Sequence, residues 1–466
     1  MKTLCALAVA VAVLCAAPIR AEKRLFTDAF APAEFAARRA KVMAAIGDGV
    51  AVISGATETA TYTKFRQNAQ FFYLCGVEVP RALLVIDGRT KVSTLYLPPH
   101  GNLERSEGPL LGPDDEAKRL TGIDAVADRA LFDAAVKAMT GRTLYLPMRE
   151  ESLGAGTPDR IRSHAQATQA DPWDRRASKE TVFKDKVSAA AGQALVKDLD
   201  PVIDTLRMVK SAAEIAVIRE ATRIADLGIR EAIQTARPGM HEYELEAAAD
   251  YMFKKNNAQG IAYFGLVANG TNAFWSHYHQ AQDTLKAGDL VLMDYAPDYK
   301  YYTSDVTRMF PASGRFTPRQ REMYGIYLKL YQALLSSIRP GPAKVGLADA
   351  YTKMQQVMAG FTFTDAKIKE AATRFVAGYA TPRNSYGHMI GMEVHDVSVA
   401  FDGVYVPGMV FSIEPAFTIP EERIYIRLED PVVITATGFE HLSRELPMEI
   451  DAIEKLMAGN PARRQR

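Results

Sequence analysis

The segment VLMDYAPDYKYYTSDVTR, residues 291–308, decides how the chain reads. Two short apolar strands joined by a tight connection each carry an aspartate, Asp294 and Asp305. With the turn centred on Tyr299 and Lys300, the two carboxylates face each other across the hairpin. Directly opposed residues on one sheet face lie roughly 5 Å apart at Cβ, and like charges there are destabilising. A shared proton, a basic side chain or a metal must therefore neutralise them.

Similar donors recur farther along. MVFSIEPAF places Glu414 at the end of an apolar strand, and YIRLED places Arg427 and Glu429 two apart, on one face of another. Between them YGHMIGMEVHD carries His388 and His395. An unpaired charge in an apolar strand is costly, so the ordered set is expected to converge. A dinuclear metal site is the economical reading, because two cations require bridging carboxylates. His241, His279 and His441 lack such a setting and read as structural. Tyr324, Tyr327 and Tyr331, at helical spacing, read as a core stripe.

The chain has 466 residues, 48% hydrophobic and 24% charged, a globular composition long enough for two or three domains. A formal charge of +1 gives no basic excess for binding nucleic acid. The start, MKTLCALAVAVAVLCAAPIRA, has a charged end, an apolar run and small residues before a cut after Ala21, the pattern of an export leader over 1–21. Cys15 is poorly placed for lipid attachment. No later stretch is apolar enough to span a membrane. Once the leader is removed only Cys75 remains, so no intramolecular disulfide can form. Cys75 lies in FFYLCGV, a strand-like run, and reads as a buried core thiol.

Residues 30–190 read as an α/β unit: PAEFAARRAKVMAAI is helical, and VAVIS, RALLVID, STLYLPP and TLYLPM are buried strands. The charged stretch 175–192 reads as a connector or solvated helix face. A second unit begins near Asp204. Its first long helix starts at Ser211, with Glu214 at capping-box spacing, and stops at Pro238 and Gly239. The pattern of helix, Arg-Pro-Gly and a leucine opening another helix occurs twice, at Leu245 and at Leu347. This predicts a two-halved domain with a site between the halves.

At these residues the chain resembles the pita-bread metallopeptidases, the group of aminopeptidase P, prolidase and methionine aminopeptidase. The resemblance covers nearly all of the mature chain, including an N-terminal domain of aminopeptidase P type carried by FRQNAQFFYLCGVEVPRALLVID. The family's ligands run Asp, Asp, His, Glu, Glu, matching Asp294, Asp305, His388, Glu414 and Glu429. Two further family histidines match His277, in WSHYHQ, and His395, in EVHD, while Arg427 matches an arginine beside the last glutamate. Asn384 stands where proline-specific members carry a histidine. An amide donates a hydrogen bond but carries no charge, which bears on contacts downstream of the scissile bond.

The fold so implied is α/β (α+β): an N-terminal domain over 22–190, then a pita-bread catalytic domain over 204–460 with an internal pseudo-twofold repeat. The implied activity is release of the N-terminal residue from peptides with proline second. It would use two divalent ions per chain, manganese first with cobalt, zinc or iron as options, and a water bridging them as nucleophile. Glu414 is then the general base, His395 stabilises the oxyanion, and His277 holds the substrate on the proline side. Arg427, grouped with both histidines as substrate-binding, orients carboxylates more than it touches substrate. Short proline-containing peptides are the expected partners, with no nucleic acid and no membrane after leader removal, in a dimer or tetramer located in the periplasm or outside. Rival readings are a prolidase restricted to dipeptides and a non-catalytic paralogue that binds peptides or proteins.

Overall fold

The helix Pro32–Ile46 opens with proline at its first position, where a missing N–H costs nothing, and buries Phe35, Val42, Met43 and Ile46. The structure, a computed structural model, describes residues 28–58, 62–101, 110–150, 157–381 and 383–459. The expected leader and Cys15 lie outside the described residues. Among those described, no helix is long and apolar enough to cross a membrane.

The first helix packs against a six-stranded mixed sheet ordered Ala125–Asp128, Val92–Leu97, Leu83–Asp87, Val50–Ser54, Leu144–Leu146, Val196–Asp198. All four strands expected from the sequence lie in it. FFYLCGV departs from expectation: Ala69–Cys75 is a helix, started by the Asn68 side chain accepting from the Phe71 amide and ended by Gly76 at φ 67°. Every residue of that helix is buried, and a short run apolar on all sides carries no period to separate helix from strand. Burial pushes the Cys75 thiol up to about 12, leaving it an inert core group. Within the charged stretch, Lys179–Ala190 is a helix capped by Ser178 that buries Glu180 and Val187.

The second unit is built on a repeated plan. The helix Ala212–Thr235 starts with a capping box in which Ser211 and Glu214 satisfy each other's amides, an arrangement worth about 1 kcal/mol. Ile218, Ala221, Ile224, Ala225, Ile229 and Ala232 form its buried stripe. After the first Arg-Pro-Gly comes the helix Glu242–Lys255, and after the second, which follows Pro318–Leu335, comes Ala343–Ala359. Leu245 and Leu347 are both buried in these second helices. The first half carries the antiparallel strands Leu266–Asn269, Leu290–Asp294 and Thr307–Pro311; the second carries His388–Met389, Val410–Ile413, Asp430–Ile434 and Phe439–His441. Helices and both sheets share one hydrophobic core. The sheets join where Thr307 and Glu429 exchange backbone hydrogen bonds, both at 3.2 Å.

The opening hairpin differs in register from the sequence expectation. Thr307, not Asp305, stands opposite Asp294, and the turn is centred on Lys300 and Tyr301, at φ 50° and 70°. Two left-handed residues give the twist a tight hairpin favours, but neither side chain prefers that region. Contacts with the first unit compensate. The Tyr301 ring stacks on Phe72 with centroids 3.6 Å apart, its hydroxyl donates to Glu78 at 2.8 Å, and Lys300 pairs with Asp28 at 2.5 Å. Phe30, Phe71 and Phe72 of the first unit share a core with Tyr301, Tyr302, Met392 and Val410 of the second. A buried ionic network lies within the second unit beside this boundary: Arg207 bonds Glu393 at 2.7 Å and Asp396, and Lys210 reaches Asp396 at 3.0 Å. It braces the loop that carries His395.

Candidate metal centre

The acidic residues meet at the seam between the two sheets. Asp294 ends its strand, Asp305 lies in the irregular stretch before Thr307–Pro311, Glu414 follows Val410–Ile413, and His388 opens His388–Met389. Arg427 and Glu429 do not share one strand, as the sequence suggested; they occupy a break between Ile424–Ile426 and Asp430–Ile434, pinned by the bridge to Thr307. His395 is likewise in a loop and not in an apolar strand.

One ligand atom each from Asp294, Asp305 and Glu429 lies within 4.8 Å of the others, and so do atoms of His388, Glu414 and Glu429. A third such group joins Asp305, His388 and His395, so Asp305, His388 and Glu429 each belong to two groups. His388 Nε2 is 3.4 Å from Asp305 Oδ2, 3.5 Å from Glu414 Oε1 and 3.4 Å from Glu429 Oε1. None of these is a good hydrogen bond, and among the described residues His388 Nε2 and Glu429 Oε1 are buried with no hydrogen-bond partner. Orphaned buried polar atoms are rare. Facing oxygens and one imidazole, they fit a pair of divalent cations.

The surrounding groups fix the donors. Arg427 bonds Glu414 Oε2 at 3.1 Å, contacts Asp294, and lies 3.8 Å from Glu429 Oε2. The Tyr263 hydroxyl is 2.6 Å from Asp294 Oδ1 and 2.7 Å from Asp305 Oδ1; with one proton it donates to one of them at a time. Thr307 Oγ1 donates to Glu429 Oε2 at 2.8 Å. Tyr324, Tyr327 and Tyr331 are a buried stripe, as expected. The Tyr327 hydroxyl also donates to the Pro415 carbonyl at 2.8 Å and accepts from the Leu428 amide at 2.7 Å, tying together the segments beside Glu414 and Glu429.

Burial, with crowded charge second, governs the proton affinities. Burial, reinforced by Glu429, raises Asp294 to about 6 and Glu414 to about 7, and Asp305 rises well above the carboxylate range for the same reasons. Burial would raise Glu429 too, but Arg427, His388 and Thr307 overcome it and hold that carboxyl near 2. Burial works against the charged imidazole of His388, yet Glu429 and Glu414 outweigh it and raise its pKa. His395, stacked on His388 with centroids 3.9 Å apart, is lowered to about 4 by burial and by His388. His277 is lowered by burial and by Arg160, whose Nη2 lies 2.9 Å from His277 Nδ1. Both histidines are therefore neutral near pH 7.

Asn384 is exposed and lies beside Gly403. His241, His279 and His441 take no part in the donor groups; His279 packs on Phe264, and His441 lies 3.0 Å from Asp430. Tyr263, Thr307, Asp159 and Arg160 were not anticipated. Thr307 was legible in principle, two residues from Asp305 and so on the same face of the strand that the sequence suggests there. The others carry no local signal, since they arrive from distant segments.

The sequence matches the family described as Metallopeptidase family M24 over residues 216–436, and Aminopeptidase P, N-terminal domain over residues 35–145. It is 31% identical over 455 residues to the Xaa-Pro aminopeptidase of Escherichia coli (strain K12), covering 93% of this chain and 98% of that protein. It is 29% identical over 441 residues to Intermediate cleaving peptidase 55, mitochondrial, of Arabidopsis thaliana, covering 91% of this chain and 82% of that one. Among solved structures, Proline aminopeptidase P II from Yersinia pestis superposes with a TM-score of 0.74 at 28% identity, over 92% of this chain and 100% of that one. Aminopeptidase P from E. coli with the inhibitor Pro-Leu gives 0.74 at 28%, over 93% and 99%.

Proposed function

The chain belongs to the aminopeptidase P family of metallopeptidases, and from that premise we propose that it is an exported Xaa-Pro aminopeptidase. Membership makes it a metalloaminopeptidase that uses divalent metal ions. The finer reading adds proline in second position, short peptides as substrates, and two ions per chain held by Asp294, Asp305, His388, Glu414 and Glu429. Manganese is the first choice among metals for a donor set dominated by carboxylate oxygens. When bound, the ions supply Lewis acidity toward water and toward the scissile carbonyl.

The chain's own groups then divide the remaining work. Glu414 is the most exposed acidic donor at 31%, and Arg427 holds one of its oxygens. That position suits it to take a proton from water and pass it to the leaving nitrogen. That delivery matters because a proline nitrogen in a peptide bond carries no proton of its own. His395, neutral and half-buried, donates to the oxygen that gains charge. His277 accepts from Arg160 at Nδ1, so its proton sits on Nε2, free to donate to the carbonyl on the proline side. Arg427 fixes Asp294 and Glu414.

The observation that carries this reading is the buried pair of orphaned atoms, His388 Nε2 and Glu429 Oε1, among four carboxylates. A peptide panel varying the second residue and the length, run with added manganese, cobalt or zinc, tests it. Cleavage confined to proline in second position is expected, on tripeptides as well as dipeptides; equal rates without proline would remove the specificity. Export is supported by the leader and is tested by N-terminal sequencing of the mature protein, which should begin at Glu22. Assembly as a dimer or tetramer is tested by light scattering.

A further inference from the structure

We propose that Arg160 reads the free C-terminal carboxylate of short substrates, making tri- and tetrapeptide acids better substrates than the corresponding amides. This deepens the aminopeptidase reading and rests on it. Arg160 lies in the first turn of the helix Pro158–Ala170, whose start is fixed by Thr157 accepting from the Arg160 amide at 3.4 Å. That helix follows the last-but-one strand of the N-terminal sheet, yet its first turn reaches two histidines of the second unit, one of which, His395, stacks on His388 of the donor cluster. Arg160 reaches His277, and Asp159 Oδ2 lies 3.9 Å from His395 Nδ1. The first unit thus sets one positive and one negative group over the two histidines that face the substrate.

The arrangement has a direction. Burial opposes ionisation of Asp159, but hydrogen bonds from the Thr157 side chain and the Arg160 amide help lower its pKa, so negative charge persists on the His395 side. A peptide's carboxylate end is repelled there and drawn to the Arg160 side. A guanidinium has five N–H donors in a planar fork suited to two-point binding of a carboxylate, and one of them is used on His277. The exposed Asn384 supplies no charge.

Distance sets the length of peptide. The Arg160 guanidinium lies one imidazole ring beyond the His277 atom that faces the proline carbonyl. Extended chain advances roughly 3.3–3.6 Å per residue, so the carboxylate it meets belongs to the first or second residue after proline.

The test compares Ala-Pro-Leu acid with Ala-Pro-Leu amide as substrates, and Pro-Leu acid with Pro-Leu amide as calorimetric ligands, using metal-supplemented wild type, R160Q and R160K. Wild type should favour the acid by about tenfold, through KM, with the same preference in binding. R160Q should abolish the preference, and R160K should keep part of it. Equal handling of acid and amide by wild type overturns the proposal. So does a loss in R160Q of equal size for both peptides, which would make Arg160 a positioning residue for His277. Wild type that cleaves neither peptide refutes the aminopeptidase reading instead, and the calorimetric comparison then still decides for or against Arg160.

Discussion

Glu429 and Asp430 are neighbours in the chain, both buried, and their side chains enter two different clusters. Asp430 accepts from Arg308 at 2.7 Å, from Tyr331 at 2.6 Å, and from Ser443, with His441 Nε2 at 3.0 Å. Burial alone would raise its pKa, yet Arg308, His441 and Ser443 overcome that and hold it far below the ordinary range. Glu429 has Thr307 on one oxygen and, among the described residues, no hydrogen-bond partner on the other, and it shares Arg427 with Asp294 and Glu414. Two unit charges 4 Å apart interact by about 4 kcal/mol at an effective dielectric near 20, so one guanidinium cannot offset four converging carboxylates. The Asp430 cluster is closed by protein groups and serves the fold. The Glu429 cluster is left open by protein groups, as the proposed cation site requires.

Substitutions at the two neighbours should separate in kind, and the largest effect is expected at the open cluster. Glu429→Gln, like Asp294→Ala or Glu414→Ala, should lower kcat/KM by about a thousandfold or more. Bound metal measured by plasma emission should fall with it, while the chelated protein keeps its thermal stability. Asp430→Asn should do the reverse, costing about 3–5 kcal/mol in denaturant unfolding while metal per folded chain stays at the wild-type level. If Asp430→Asn instead stripped the metal and left stability intact, the division between the clusters would collapse.

A pH series sharpens the contrast. Asp294 and Glu414 have folded pKa values raised to about 6 and about 7, through burial and Glu429. Groups raised on folding stabilise fully below their unfolded values near 4 and lose that contribution as pH rises through the folded ones. His388, raised above 6.5, acts in the same sense. Glu429, held near 2, contributes at full strength above its unfolded value and is constant in this window. Chelated protein should therefore melt a few degrees lower at pH 8 than at pH 5. Stabilisation by added manganese should grow over the same interval, because cations bind deprotonated donors. A gap that stays flat with pH would mean that these carboxylates are not what the ions bind. The smallest effect is expected from Tyr263→Phe, which removes the hydroxyl shared by Asp294 and Asp305. Metal affinity should weaken by about tenfold, with about 1 kcal/mol lost in stability; unchanged affinity in a competition titration would leave Tyr263 a packing group.

Much of the site was legible because its donors sit at apolar strand ends, where a carboxylate without a partner is conspicuous. The capping box at Ser211 and the repeated Arg-Pro-Gly were legible because they are local. The hairpin register was not, since Lys300 and Tyr301 adopt left-handed backbone only with Phe72 and Asp28 of the other unit to hold them. Cys75 was misplaced in a strand although Asn68 and Gly76 frame its helix; seven buried residues hid the period, and the caps were the better signal. Arg160 gave no sign of its position, because nothing in PDRIRSHAQ says that this helix will overlie His277.

By itself the sequence determined the chemistry available: which side chains can ligate, which can titrate, and where helices begin and stop, all matters of residue type and short spacing. The tertiary structure decided which charges remain unanswered. Thr307 and Glu429 are 122 residues apart in the chain and meet at one bridge, and Glu429 faces the open cluster while Asp430 faces the closed one. Whether a carboxylate finds its partner depends on contacts between segments that do not lie near each other until the chain has folded.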